Sequence, residues 1–218
     1  MSRFIEFVYK EHHQIRERYG FIFGERVRAN LIANFVGKGK KVLDLGCRDG
    51  SLTRFYYSSN QVIGLDIDID ALKRCKETLG LTVLLCDLNE GLPFKDNYFD
   101  VVVAGELLEH LPFPWMLLRD VYRVLKVGGI LVGSVPNAYH WRKRIRFLLG
   151  KDLDEDPTHL RFFSKGSLTR LLEAEKFRDI RIIPYSSGAQ RNIIKALLVR
   201  CFPTLFSSGF VFWARKKV

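Results

Sequence analysis

Two rhythms alternate along this chain. Short, almost wholly apolar runs at Lys41–Gly46, Gln61–Asp66, Leu81–Cys86, Phe99–Ala104 and Ile130–Val135 read as five buried strands. Between them, apolar residues recur at three- and four-residue steps, the period of a helix with one buried face. Trp115, Leu118, Val121, Tyr122 and Leu125 show that step most plainly, and Gly128-Gly129 is expected to end their helix. Further helices are expected at Ser2–Arg18, Gly24–Phe35, Asp70–Leu79 and Ser51–Tyr57, the last with Ser51 as its N-cap. Strand, helix, strand in regular succession predicts a parallel, doubly wound α/β sheet with right-handed crossovers and helices on both faces.

After Pro136 the rhythm changes. Trp141–Leu149 reads as a basic amphipathic segment and Lys151–Thr158 as an acidic, proline-containing loop. Ser164–Lys176 reads as a helix, and Phe177–Tyr185 and Gly209–Arg215 as strands, with an apolar helix (Arg191–Phe202) between them. No domain boundary is evident. The chain is read as a single domain: N-terminal helices (1–37), a core (38–136), a small cap (137–175) and C-terminal strands with a helix (176–218).

Composition narrows the field. At 47% hydrophobic residues the chain can build a packed core, which excludes wholesale disorder. The uncharged stretch Cys201–Ala214 is 14 residues and contains Pro203, too short for a membrane-spanning helix. The charged N-terminus carries no secretory pattern. The four cysteines form no CxxC pair and lack the histidine spacing of a zinc site, so no metal is expected. Reduced thiols in the cytoplasm follow as the default, with Cys86 a small core residue.

Charge is unevenly spread. Residues 1–136 are nearly neutral at a net +1, whereas residues 137–218 carry a net +10. An anionic partner for the C-terminal part follows: a phosphorylated small molecule, nucleic acid or an anionic membrane surface.

In sheets of this kind, ligands bind beyond the carboxyl ends of the strands. The first strand-to-helix loop reads Val42-Leu-Asp-Leu-Gly-Cys-Arg-Asp-Gly50. Gly46 and Gly50 permit tight turning, but the G-x-G-x-x-G spacing of a dinucleotide site is absent, which speaks against a nicotinamide dehydrogenase. Asp44 would repel pyrophosphate yet suits a ligand amino group. Asp66, at the end of the second strand, suits ribose hydroxyls, and Asp87, at the end of the third, suits an exocyclic adenine amine. Three carboxylates on neighbouring strand tips describe a site for an adenosine that carries an amino group and no phosphates. Asp68 and Asp70 are read instead as helix N-capping residues.

These motifs resemble the class I S-adenosylmethionine-dependent methyltransferases. The likeness covers roughly residues 35–180 and also rests on Val62-Ile-Gly-Leu-Asp-Ile-Asp68, Cys86-Asp-Leu88, Phe99–Leu111 and Leu125-Lys-Val-Gly-Gly-Ile-Leu-Val132. It implies a Rossmann-like, seven-stranded, mostly parallel sheet whose last strand is antiparallel. It also implies S-adenosylmethionine as cofactor and S-adenosylhomocysteine as product. By the same resemblance Asp44, Gly46, Cys47, Arg48 and Gly50 surround the methionine end, Asp66 and Ile67 meet the ribose and adenine, Asp87 and Leu88 meet the adenine, and Ala104 and Gly105 offer backbone.

One departure is Arg48, where the family usually has glycine; a positive φ there would cost about 1–2 kcal/mol. For chemistry, Glu106, Glu109 and His110 follow the fourth strand, and His110 is the candidate general base, needed only if the acceptor must lose a proton. His159 and Tyr139 lie in the cap, where a substrate side is expected. Trp141–Leu149 is similar to a stretch of MetW-type methyltransferase-like proteins, and His159–Leu168 to quinone-, lipid- and glycan-pathway methyltransferases. The expected acceptor is a small molecule, anionic or lipid-linked, taking methyl on oxygen or nitrogen, with peripheral membrane contact through Trp141–Leu149. The alternatives are a non-catalytic binding partner and an RNA methyltransferase.

Overall fold

The structure, a computed structural model, describes Gly20 and residues 25–154, 156–186 and 192–217. The expected helix at 2–18 lies outside the described residues.

Seven strands form one sheet: β1 (Lys41–Leu45), β2 (Gln61–Asp66), β3 (Thr82–Leu85), β4 (Phe99–Gly105), β5 (Leu125–Pro136), β6 (Phe177–Tyr185) and β7 (Gly209–Lys216), in the order β3-β2-β1-β4-β5-β7-β6. The first five run parallel, and β7 is inserted antiparallel to both β5 and β6. Strand order reverses between β1 and β4, and the switch point beyond the carboxyl ends of those two strands is where open α/β sheets take ligands in a cleft.

Alternation along the strands divides the core in two. Leu43, Leu45, Leu65, Val102, Ala104 and Leu131 face helices α3 (Pro114–Val124) and α5 (Lys165–Ala174), whose Leu118, Val121, Leu168 and Leu172 complete that layer. Val42, Val62, Val101, Val103 and Val132 face α1 (Glu25–Val36) and α2 (Ile69–Leu79) through Ile32, Val36, Leu72 and Cys75. Asp68 caps α2 by accepting from the Asp70 and Ala71 N–H groups, while Asp70 lies in the first turn. Gly80, at φ 67°, closes the helix in a left-handed C-cap.

Three expectations need correction. Ser51–Tyr57 is not an α-helix: it folds as two 3-10 turns, Thr53–Phe55 and Tyr57–Ser59, and Ser51 caps neither. Thr53 and Tyr56 turn their hydroxyls onto Asp44 instead, and that pull from β1 overrides weak helix propensity. The third strand is not buried. It is an edge strand with Leu84 and Leu85 about two-fifths exposed, and Cys86 beyond it is half-buried rather than a core residue. Finally, Gly128-Gly129 does not end a helix. The helix stops at Val124, β5 begins at once, and Gly128, at φ 80°, lies in an irregularity where Leu125 pairs with Phe99 and Ile130 with Val101.

Beyond β5 stands α4 (Trp141–Leu148), and between β6 and β7 stand α6 (Ile193–Cys201) and α7 (Pro203–Phe206). All three rise from the end of the sheet that carries the cleft. Neither α4 nor α6 buries a residue. Among the described residues no helix is long and apolar enough to cross a membrane.

Candidate functional site

The site begins with backbone. At the end of β1 the Gly46 and Cys47 N–H groups both donate to the Leu65 carbonyl, 2.8 and 3.0 Å away, which folds the loop back over β2. Gly46 (φ 68°) and Gly50 (φ 79°) occupy left-handed conformations. A Cβ on Gly50 would lie 2.5 Å from Leu79 and 2.9 Å from Cys75 Sγ, so that glycine also lets α2 pack close. Arg48 shares the left-handed geometry, at φ 50°. Its N–H donates to Asp66 Oδ2 at 2.8 Å, and its guanidinium pairs with Asp49 at 3.3 Å.

Asp66 is the hinge of the arrangement. Its second oxygen accepts from the Asp68 N–H at 2.9 Å, so one buried carboxylate clamps the first loop and the start of α2. Each carboxylate oxygen has two acceptor sites, which leaves capacity for ribose hydroxyls. On the neighbouring tip, Asp87 accepts from the Asn89 backbone and side chain, 3.0 and 2.8 Å away, in an Asx turn. On the other side, Asp44 is buried and accepts from Thr53 and Tyr56, 2.6 and 2.7 Å away. Burial, with a contribution from Asp66, pushes the Asp44 carboxyl up to about 6 despite those two donors. The three acidic tips thus stand on adjacent strands.

Cys47 is brought to the loop but turned from it. Its Sγ lies 2.6 Å from where a Gly64 Cβ would be, so only its backbone faces a ligand. Ile67 follows Asp66 half-buried, and Leu88 is nearly covered. A cavity of about 860 Å³ opens beside Asp87 and Leu88, against Met116, Arg119 and Asp120 of α3. It flanks the cleft and does not reach the glycine loop.

Across the cleft, Ala104 and Gly105 end β4; a Cβ on Gly105 would meet Leu52 at 2.6 Å. Glu106 follows at φ 53°. Arg28 of α1 reaches in, donating to Ser134 Oγ at 2.9 Å and lying 3.8 Å from the Glu106 carboxylate. Tyr185, at the end of β6, donates to Glu106 Oε1 at 3.4 Å. Burial raises the Tyr185 hydroxyl well above its ordinary pKa, and the neighbouring Glu106 adds to that. Residue spacing gave no hint of Arg28 or Tyr185: each is one polar side chain among several in its element, and only the fold brings the two to Glu106.

Glu109 and His110 lie on the 3-10 turn after β4, and the cap folds onto them. The Leu160 and Arg161 N–H groups donate to the Glu109 carbonyl at 2.8 and 3.0 Å. His110 Nδ1 lies 3.2 Å from the Thr158 carbonyl, and its ring meets His159 edge-on at 4.8 Å. His159 is itself held by Asp154, 2.9 Å from its Nδ1. Against the cost of burial, His159 and Lys143 keep the Asp154 carboxyl well below the usual range. Burial pushes the Glu109 carboxyl well up, and Glu106 adds to that. Tyr139 is half-exposed at the head of α4.

Residues 13–182 match the family model described as a methyltransferase domain. A probable S-adenosylmethionine-dependent methyltransferase of Mycolicibacterium smegmatis is 32% identical over 64% of this chain and 52% of its own length. A demethylmenaquinone methyltransferase of Geobacillus stearothermophilus is 31% identical over 70% of this chain and 77% of its own. The first of these and its kin are longer proteins, and the chain spans about half their length. In fold, it superposes on a SAM-dependent methyltransferase from Archaeoglobus fulgidus with a TM-score of 0.68, at 24% identity, over 94% of this chain and 99% of that one. Family model, relatives and sheet order agree: the chain belongs to the methyltransferase-domain family, the S-adenosylmethionine-dependent methyltransferases of class I.

Proposed function

We propose that this chain transfers a methyl group from S-adenosylmethionine to oxygen or nitrogen of a small-molecule or lipid- or glycan-linked acceptor. The observation that carries the reading is the acceptor set at the cleft: Asp44, Asp66 and Asp87 on three adjacent strand tips, beside a loop of left-handed backbone. Such a set accepts hydrogen bonds from amino and hydroxyl groups and repels phosphate. Arg48 fits the cofactor as well, because its backbone serves the Asp66 clamp and its guanidinium turns to Asp49.

In this reading the loop of Asp44, Gly46, Cys47, Arg48 and Gly50 surrounds the methionine end, with Cys47 contributing backbone alone. Asp66 and Ile67 hold ribose and adenine, Asp87 and Leu88 border the adenine, and Ala104 and Gly105 offer backbone. When bound, the cofactor supplies an electrophilic methyl carbon on sulfur, so the protein has mainly to orient the acceptor and exclude water. His110 stands on the acceptor side, where it takes a proton from a hydroxyl acceptor.

A lipid-linked acceptor draws support from α4 and α6, which leave apolar side chains exposed among cations. All four cysteines are free thiols, which suits the reducing cytoplasm. Calorimetry with S-adenosylhomocysteine tests the core of the reading. One equivalent should bind, and Asp66→Ala should weaken it at least tenfold; no heat at millimolar nucleoside refutes it.

A further inference from the structure

Where the cap meets the turn after β4, three groups with metal-ligating atoms converge. One ligand atom each from Glu109, His110 and His159 lies within 4.8 Å of the others. Glu109 is only 1% exposed, yet neither of its carboxylate oxygens has a hydrogen-bond partner. A buried carboxyl with no hydrogen-bond partner is costly in either protonation state, and a bound cation relieves that cost.

The surroundings are those of a ligand shell. His159 Nδ1 is fixed by Asp154 Oδ2 at 2.9 Å, and His110 Nδ1 by the Thr158 carbonyl at 3.2 Å. Partners of this kind at one ring nitrogen orient the imidazole so that Nε2 addresses a metal. Asp156, which is also buried, places an oxygen 3.8 Å from His159 Nε2. Its other oxygen accepts from Thr158 Oγ1 at 2.6 Å, so it is held in place. Metal–ligand bonds of about 2.0–2.2 Å gather atoms this close onto one ion with small side-chain rotations. The 48 residues between His110 and His159 hide the set from any reading of linear spacing.

We infer that Glu109, His110 and His159, with Asp156 beside them, form a binding site for one divalent first-row transition-metal ion. Two imidazoles with carboxylates suit zinc better than magnesium, calcium or manganese, which prefer oxygen. The ion tethers the cap to the sheet. If the methyl-transfer reading holds, it also faces the acceptor, where it binds a hydroxyl oxygen and lowers its pKa, which replaces proton transfer to His110, whose Nε2 the ion occupies; the site itself does not rest on that reading.

The test uses the full chain, stripped with chelator and titrated with Zn²⁺, Mn²⁺ and Mg²⁺ by calorimetry without nucleoside. One equivalent of Zn²⁺ should bind, with Mg²⁺ at least tenfold weaker. Glu109→Gln and His159→Ala should abolish the site, and Asp154→Asn should weaken it about 10–100-fold. Circular dichroism and S-adenosylhomocysteine binding report whether each variant is folded. X-ray absorption on the unaltered zinc-loaded chain needs no variant and should show two imidazoles. No binding, an all-oxygen shell, or full Zn²⁺ affinity in folded Glu109→Gln and His159→Ala overturns the proposal. Zinc binding without nucleoside binding keeps the site and removes the methyl-transfer reading; the reverse outcome removes the site alone.

Discussion

Arg48 holds a backbone angle that glycine adopts without strain and arginine does not. The left-handed conformation costs a non-glycine residue about 1–2 kcal/mol, while glycine gives back part of that through the entropy of the unfolded chain. Arg48→Gly should therefore stabilise the protein by about 0.5–1 kcal/mol in urea denaturation, and it should leave nucleoside affinity intact because the N–H to Asp66 remains. A destabilised variant would mean that the guanidinium matters more than the strain. Asp44 makes a prediction about pH. Its carboxyl ionises near 6 in the folded chain, against 3.8 for a free carboxyl, so folding favours the protonated form. The stability this gives is complete below pH 3.8 and is lost as pH rises through 6. A shift of about two units corresponds to about 3 kcal/mol. Asp44→Asn keeps an acceptor for Thr53 and Tyr56 and removes the charge. The variant should gain on the parent between pH 4 and pH 8 in nucleoside-free denaturation; parallel stability curves would contradict the burial argument. The acceptor groups at the cleft were legible in the sequence because strand ends are predictable. The partners of Asp44 were not, since a hydroxyl nine residues on looks the same whether it caps a helix or turns inward.

At the scale of elements, what was legible depended on burial. Four of the five core strands have both faces covered, and continuous apolar runs announced them. The edge strand β3 carries an equally apolar run, Thr82–Leu85, yet is largely exposed, because composition cannot show that no strand follows it in the sheet. Helix α4 is the converse case. Its amphipathic pattern is equally consistent with covering the sheet and with facing outward, and the structure leaves Phe147, Leu148 (80% exposed) and Leu149 uncovered. Helix α6 does the same with Ile193 (88% exposed) and Ile194. Cations of both helices act on one residue: besides burial, Arg142 and Lys143 of α4 and Lys195 of α6 press the His140 pKa down. Apolar side chains ringed by cations are complementary to an anionic lipid surface. The chain should sediment with vesicles containing phosphatidylglycerol and not with neutral phosphatidylcholine, and the binding should weaken with salt. Phe147→Glu with Leu148→Glu should reduce partitioning at least tenfold while preserving nucleoside affinity. Equal partitioning of parent and variant would rule out this face.

At the scale of the whole molecule, the mostly parallel sheet and its antiparallel last strand followed from strand count and resemblance, but the join between N-terminal helix, sheet centre and C-terminal strands did not. That join runs through Arg28. Its guanidinium, almost wholly buried, links α1 to Ser134 of β5 and to Glu106 beyond β4, and Tyr185 of β6 closes on the same carboxylate. Contacts separated by 79 and 106 residues leave no local trace in a sequence. Removing one partner of a buried ion pair strands the other charge, at a cost of about 3–5 kcal/mol, whereas neutralising both relieves it. Arg28→Met should thus destabilise the chain by about 3 kcal/mol and lower nucleoside affinity, because Glu106 follows directly on the Ala104–Gly105 strand tip. Adding Glu106→Gln should recover much of that stability, since the amide still accepts from Tyr185 and no longer needs a cation. A double variant as unstable as the sum of its singles would show that Arg28 contributes packing along its stem, and that the four elements are held by apolar contact alone.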